Sequence, residues 1–243
     1  MIPEDVCAAL ADPEQPAPAA VSPTLPRDLP PGARAGILAN ISASYFMLRR
    51  GMAALALAFP LLLWIGGGVG DLQGSLSAYY HADGGRVRDL FVGVLWAVGA
   101  FLFLYRGYST AEDRALDGAG LAAVVVSLAP TDWPAGAAHT PAGWAHNAAA
   151  ILFFLLVAYV TLFRSGDTLR LMRDGARAAR FRRIYRLLGW LMVLLPLAVL
   201  AAHLALPRRA DSPFLFFMEA AGVWVFAAFW LVKSREIAVL ERQ

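Results

Sequence analysis

Past residue 34 the chain is a succession of long apolar runs broken by short polar segments, and run length decides the class. Six stretches, Met52–Val69, Leu90–Tyr105, Gly118–Thr131, Trp144–Phe163, Leu187–Leu206 and Phe214–Val232, approach or exceed the roughly 20 helical residues that cross a hydrocarbon core of about 30 Å. In the third, only Leu121–Ala129 is continuously apolar, and its flanking glycines lower helix propensity; an even number of crossings, which the charge distribution calls for, retains it. Ala35–Leu48 is apolar with Asn40, Ser42 and Ser44 interspersed and stops at Arg49-Arg50, which reads as an interfacial helix over residues 35–50. Residues 1–34 hold eight of the fifteen prolines and read as a disordered tail; they lack the basic start and immediate apolar run of a secretory signal. The expected fold is therefore all-α: a polytopic membrane bundle of six transmembrane helices over residues 51–236.

Composition agrees with that pattern. In 243 residues, 59% are hydrophobic and 16% charged, with a mean hydropathy of +0.56, which excludes a soluble globular domain. Cys7 is the single cysteine, so no disulfide within the chain is available. A pI near 9.3 suggests nucleic-acid binding until the basic residues are placed: most adjoin apolar runs, as topology determinants do. With six spans and the N-terminus inside, 17 basic residues fall on the cytoplasmic side and four (Arg86, Arg88, Arg208, Arg209) outside. Both termini are then cytoplasmic, in a bacterial inner membrane. The loop from Arg164 to Arg186 carries eight arginines against Asp167 and Asp174 and reads as an anchor on anionic headgroups of membrane lipids. It offers only Phe181 and Tyr185 for base stacking, so no nucleic-acid partner is expected.

Once sides are assigned, the polar residues gather on the outer one. The first outer loop supplies Ser75, Ser77, Tyr79, Tyr80, His81 and Asp83 before Arg86, Arg88 and Asp89 open the second span; the other supplies Asp132, His139, Thr140 and His146. His203 lies near the outer end of the fifth span and Glu219 about two turns into the sixth. Thr140-Pro141 is an N-cap followed by proline at the first helical position, so a helix should start there. His139 and His146, seven residues apart, face one direction if the residue before that start continues the spiral. Imidazoles and carboxylates in a partly desolvated site suit a transition metal, zinc above all when no thiol is present. The metal set expected is His81, His139, His146, Asp89 and His203. No H-E-x-x-H or H-x-x-x-H occurs, and for Asp89 a favourable place at a helix N-terminus is a sufficient structural reason. Glu219, inside an apolar span, needs an interior partner, for which Arg86, Arg88, Tyr79 and His203 are candidates.

Two resemblances rest on these residues. Ser75-x-Ser77-x-Tyr79-Tyr80-His81, Arg88-Asp89-x-Phe91-Val92-Gly93, Phe101-Leu-Phe-Leu-Tyr105-Arg-Gly107 and Glu219…Trp224-x-Phe226…Trp230-x-x-Lys233 resemble a group of uncharacterised bacterial six-helix membrane proteins, which implies the fold and no activity. Ser77-x-x-x-His81 followed by Asp89 is similar to the start of the alkaline ceramidase superfamily, whose Ser, Asp and three His surround a catalytic zinc. That resemblance implies a role for Ser77, His81 and Asp89 only, because the family's seventh span and its closing H-x-x-x-H pair are missing from this sequence.

Two functional classes follow. One is a metal-dependent hydrolase of a lipid or amphiphile, with zinc held by the histidines, Asp89 as ligand or general base, Ser77 or Tyr80 stabilising the oxyanion and Glu219 contributing from the sixth span. The other is a non-catalytic transporter or sensor in which Glu219, His203 and Arg88 form a titratable network, or a structural subunit.

Overall fold

The computed structural model describes residues 30–134, 137–205 and 213–242, and among them it is all-helical, with no strand. The long helices are α1 (Pro31–Gly66), α2 (Arg86–Leu104), α3 (Thr110–Leu128), α4 (Pro141–Tyr159), α5 (Gly175–Ala205) and α6 (Phe214–Leu240). Five of them, all but α3, are long and apolar enough to cross a membrane. The chain divides into residues 1–43 and 44–243, and the packing described below belongs to the second unit.

Helix limits differ from the sequence expectation in instructive places. α1 passes through Arg49-Arg50 without a break, so the expected boundary between an interfacial helix and the first span is not there; Arg, Ala and Leu on both sides of Gly51 are good helix formers. α5 starts at Gly175 rather than Leu187, because Asp174 Oδ1 accepts the backbone N–H groups of Ala176 (2.9 Å) and Arg177 (3.1 Å) and caps it. With the turns at Val160–Arg164 and Gly166–Leu169, most of the expected arginine loop is therefore helix. α6 continues beyond Val232 to Leu240, and α3 begins at Thr110 with Ser109 Oγ accepting Glu112 N–H at 3.3 Å. The expected start of α4 is the observed one: Thr140 Oγ1 accepts Gly143 N–H at 3.0 Å.

α3, which opens with Glu112, Asp113 and Arg114, packs against α2 and α4 through small residues. A Cβ at Gly99 would come 2.8 Å from the Gly120 carbonyl, and one at Gly120 2.6 Å from that of Gly99, so α2 and α3 cross backbone to backbone. Such close crossings are how helices associate where no hydrophobic effect drives them together. α5 packs on α4 and α6. α1 joins α2 through Phe59 and Phe91, whose ring centroids are 5.5 Å apart, and α6 through Trp224, whose indole N–H donates to Leu57 O at 3.2 Å. Large apolar side chains also face outward, among them Leu61, Ile65, Trp96, Phe103, Leu155 and Leu194. Such an exterior is compatible with a lipid environment.

The two ends of this unit are distinct. At one, the 67–85 loop meets the start of α6, where Phe216 N–H donates to Gly74 O at 3.0 Å, and the segment after α3, where His81 bonds Thr131 O at 2.9 Å; we call it the histidine end. At the other, the 105–109 loop meets a π-helical extension of α4 (Val160–Arg164), the single turn Gly166–Leu169 and the last turns of α6. We call it the arginine end.

Candidate functional site

Ser77 opens a short 3-10 helix, Ser77–Tyr80, in the 67–85 loop, and His146 lies in the second turn of α4. Between them Ser77 Oγ and His146 Nε2 are 2.8 Å apart, across 69 positions of sequence. The other ring nitrogen, Nδ1, is 2.8 Å from the Ala129 carbonyl at the C-cap of α3. A carbonyl only accepts, so Nδ1 carries the hydrogen and Nε2 presents its lone pair to the Ser77 hydroxyl, which donates to it. His146 is 2% exposed, and this bonding fixes both its tautomer and its ring orientation.

Proline at the first helical position and the Thr140 cap aim His146 inward. They also separate it from His139: Thr140 is extended (φ −96°, ψ 158°), so the spiral does not continue back and the two histidines do not share a face. His139 Nδ1 instead donates to Asp132 Oδ2 at 3.0 Å. Asp132 Oδ1 accepts from Thr140 Oγ1 at 2.7 Å and Thr140 N at 3.0 Å, and the carboxylate lies so close over Gly143 that a Cβ there would overlap it. The Thr140 bonds first, then His139, hold the Asp132 carboxyl at about 2, well below the ordinary range.

His81 is exposed, donates from Nε2 to Thr131 O at 2.9 Å and stacks on Trp133 with ring centroids 5.8 Å apart. Tyr80 packs against His81 and Phe91, with the Arg88 guanidinium 5.9 Å above its ring. Asp89 is 83% exposed by side chain and lies 3.8 Å from Arg88 Nε. That geometry brings Ser77 to His146 rather than to His81, and leaves Asp89 as a helix-start carboxylate. His203 lies on α5; its side chain is outside the described residues.

The zinc expectation needs three of these groups together. Among the described residues no three of His, Cys, Asp and Glu assemble as a ligand set. The bonding gives the reason: both nitrogens of His146 are committed, His81 turns to Thr131 O, and His139 turns to Asp132. Among the described residues the imidazoles are thus engaged by protein groups and converge on no common point.

Among the described residues Glu219 has an interior partner, and it is loop backbone. Its Oε2 accepts the backbone N–H of Leu76 at 2.7 Å, and the Ser77 N–H also donates to this carboxylate. The expected pairing with Arg88 is not made. The start of the 3-10 helix offers unsatisfied N–H groups, and a carboxylate from α6 takes them up. Tyr79, fully buried against Gly67 and Phe216, fixes the same loop, and burial pushes its hydroxyl above the ordinary tyrosine range.

A further polar cluster, at the arginine end, was not read as a site from the sequence. Lys233 and Glu236, 1% and 0% exposed by side chain, pair at 3.2 Å. Glu236 also accepts from the Thr168 and Tyr185 hydroxyls, and Lys233 Nζ donates to Thr168 Oγ1 at 2.7 Å. The signal was present in the sequence: the chain's only lysine three residues before a glutamate, directly after an apolar run. Counting Lys233 as a topology charge concealed it.

Family models, curated proteins and solved structures were all compared with this chain; none matches it, and the site is read from its own geometry.

Proposed function

We propose that this protein is a membrane-embedded hydrolase of a lipid or other amphiphile, with Ser77 as nucleophile and His146 as general base. The observation that carries the reading is the Ser77 Oγ–His146 Nε2 hydrogen bond of 2.8 Å, with Nδ1 held by the Ala129 carbonyl. A serine hydroxyl is a weak nucleophile unless a base in hydrogen-bond contact removes its proton, and a third group must orient the base. In the proposed sequence, Ser77 Oγ attacks the carbonyl carbon of an ester or amide while His146 Nε2 takes its proton. The leaving group departs with that proton; water then attacks the acyl carbon as Nε2 takes its proton, and Nε2 returns that proton to Ser77 Oγ as the acid is released. Asp132 acts on the imidazole through space and supports its transient positive charge. A site at the end of an apolar bundle favours a substrate that partitions into lipid.

The experiment is labelling of the purified protein in detergent with a fluorophosphonate, followed by peptide mapping. Modification of Ser77, lost in Ser77→Ala and in His146→Gln, supports the reading; wild-type protein that stays unmodified contradicts it.

One observation favours a second reading. The N–H groups of Leu76 and Ser77, the donors best placed to stabilise an oxyanion, are occupied by Glu219. In a non-catalytic membrane protein that carboxylate is a fixed clamp on the loop. In the hydrolase it has to yield those donors to the substrate. Glu219→Gln, which weakens the clamp without removing it, raises the labelling rate of Ser77 only in the hydrolase.

The proposal includes six crossings, with α3 the sixth, and cytoplasmic termini in a bacterial inner membrane. The distribution of basic residues supports it, as do the outward-facing Leu121 and Leu128 of α3. The arginine end then faces the cytoplasm, with Arg180, Arg182, Arg183 and Arg186 of α5 exposed toward anionic headgroups. Reporters fused after Gln243 and at Gly136 test it: opposite sides are expected, and the same side removes α3 as a crossing.

A further inference from the structure

The far nitrogen of the His146 ring meets backbone, not a carboxylate. In a serine–histidine–acid triad the acid takes that ring N–H, fixes the tautomer and stabilises the imidazolium that forms when the serine proton moves. Here Asp132 spends its oxygens on Thr140 and His139, and Glu219 accepts the N–H groups of Leu76 and Ser77. What meets Nδ1 is the carbonyl end of α3: Ala129 O at 2.8 Å, with the Val126 carbonyl, one turn back, also bonded to the ring.

The sequence explains why those carbonyls are open. α3 runs to Leu128, and Ala129 N–H donates to Val125 O at 2.9 Å. The next bond of that ladder would run from residue 130 to Val126 O, but residue 130 is proline and carries no N–H. Proline also disfavours helical backbone in the residue before it, and Ala129 is extended, with φ −92° and ψ 111°. The Ser127 hydroxyl turns back to donate to Val124 O at 2.6 Å and does not compete. The helix therefore stops where its terminal carbonyls remain for His146. Such an end carries about half an elementary negative charge and favours a cation placed against it. Of the charged groups close enough to act on the ring, Asp132 reinforces the cationic form and His81, when protonated, opposes it.

We infer that Pro130 is a positioning residue of the Ser77–His146 pair: it ends α3 so that the carbonyl end of the helix takes the place of the triad acid. This role rests on the hydrolase reading of the pair.

Pro130→Ala restores an N–H and lets α3 continue. It is compared in detergent with wild type and with Asp132→Asn by two readouts: the Nδ1–H resonance of His146 in ring-15N-labelled protein, and the rate at which a fluorophosphonate modifies Ser77. In wild type the Nδ1 proton is expected far downfield and slow to exchange. Pro130→Ala is expected to move it upfield and to slow modification about tenfold. Asp132→Asn is expected to keep the resonance and to slow modification about threefold, whereas loss of a triad acid costs about 10⁴-fold. Modified wild-type protein whose resonance and rate are the same in Pro130→Ala overturns the role of Pro130 and leaves the hydrolase standing. Asp132→Asn that slows modification as much as His146→Gln also overturns it, and that arm holds even if Pro130→Ala does not fold. Wild-type protein that stays unmodified overturns the hydrolase, and this role with it.

Discussion

At the histidine end, side chains are satisfied by loop backbone: buried His146 by the Ala129 carbonyl, exposed His81 by that of Thr131, and Glu219 by the N–H groups of Leu76 and Ser77. At the arginine end side chain meets side chain, with Lys233, Glu236, Thr168 and Tyr185 closing on one another at 2% exposure or less. The first arrangement uses irregular chain as its bonding partner and leaves the Ser77 hydroxyl on a 3-10 turn between helices. The second locks α6 to α5 and to the turn after α4, and involves no loop that has to move. The difference suggests a division of labour, with chemistry at the loop-borne end and rigidity at the helix-borne one.

That contrast is broken most forcefully at the arginine end. Removing one member of a buried ion pair leaves the other charged and unmatched, at a cost of about 3–5 kcal/mol. Glu236→Leu is therefore expected to lower thermal stability in detergent more than any other single change considered, and Lys233→Met combined with Glu236→Leu to recover much of the loss. If the double variant is no better than the single one, the network is not an ion pair in a dry site.

Glu219 comes next. Glu219→Leu strands the N–H groups of Leu76 and Ser77 at roughly 1–3 kcal/mol. It should also open the 67–85 loop to proteolysis, while Glu219→Gln retains an acceptor and most of the protection. Equal protection in all three proteins contradicts the clamp.

Asp132 gives a smaller and pH-dependent effect. Its folded pKa, about 2, lies below the ordinary value of about 4, so its contribution is fully present above pH about 4 and is lost as pH falls through about 2. Hydrogen-exchange protection at Thr140 and Gly143 should follow that titration, and Asp132→Asn should remove the dependence. Protection that is flat over this range means the carboxylate does not hold the loop.

Much of the histidine end was legible in the sequence, because polar residues in a membrane-like chain stand out. Thr140-Pro141 indicated the start of α4, and the apolar neighbours of Glu219 indicated that it needs a partner. What the residues did not reveal is who bonds whom. Ser77 and His146 are 69 positions apart, and nothing local distinguishes His146 from His81 as the partner of Ser77. The metal expectation followed from counting imidazoles on one side, and residue type does not tell which carbonyl each ring will find. The limits of α5 and α6 are hidden for a different reason: charged residues end an apolar run without ending the helix, since Arg, Lys and Glu are good helix formers and carry it further.

The smallest expected change in stability accompanies the central claim. Ser77→Ala removes one hydrogen bond, about 1 kcal/mol, while abolishing reactivity if the pair is the engine of the site. The most direct measurement is the tautomer of His146, read from the ring 15N chemical shifts of selectively labelled protein. The account predicts a neutral ring protonated at Nδ1, with Nε2 shifted as an acceptor from a hydroxyl, and a change at Nε2 in Ser77→Ala. A ring protonated at Nε2, or one that does not respond to Ser77→Ala, contradicts it, because His146 could then not take the proton of the Ser77 hydroxyl.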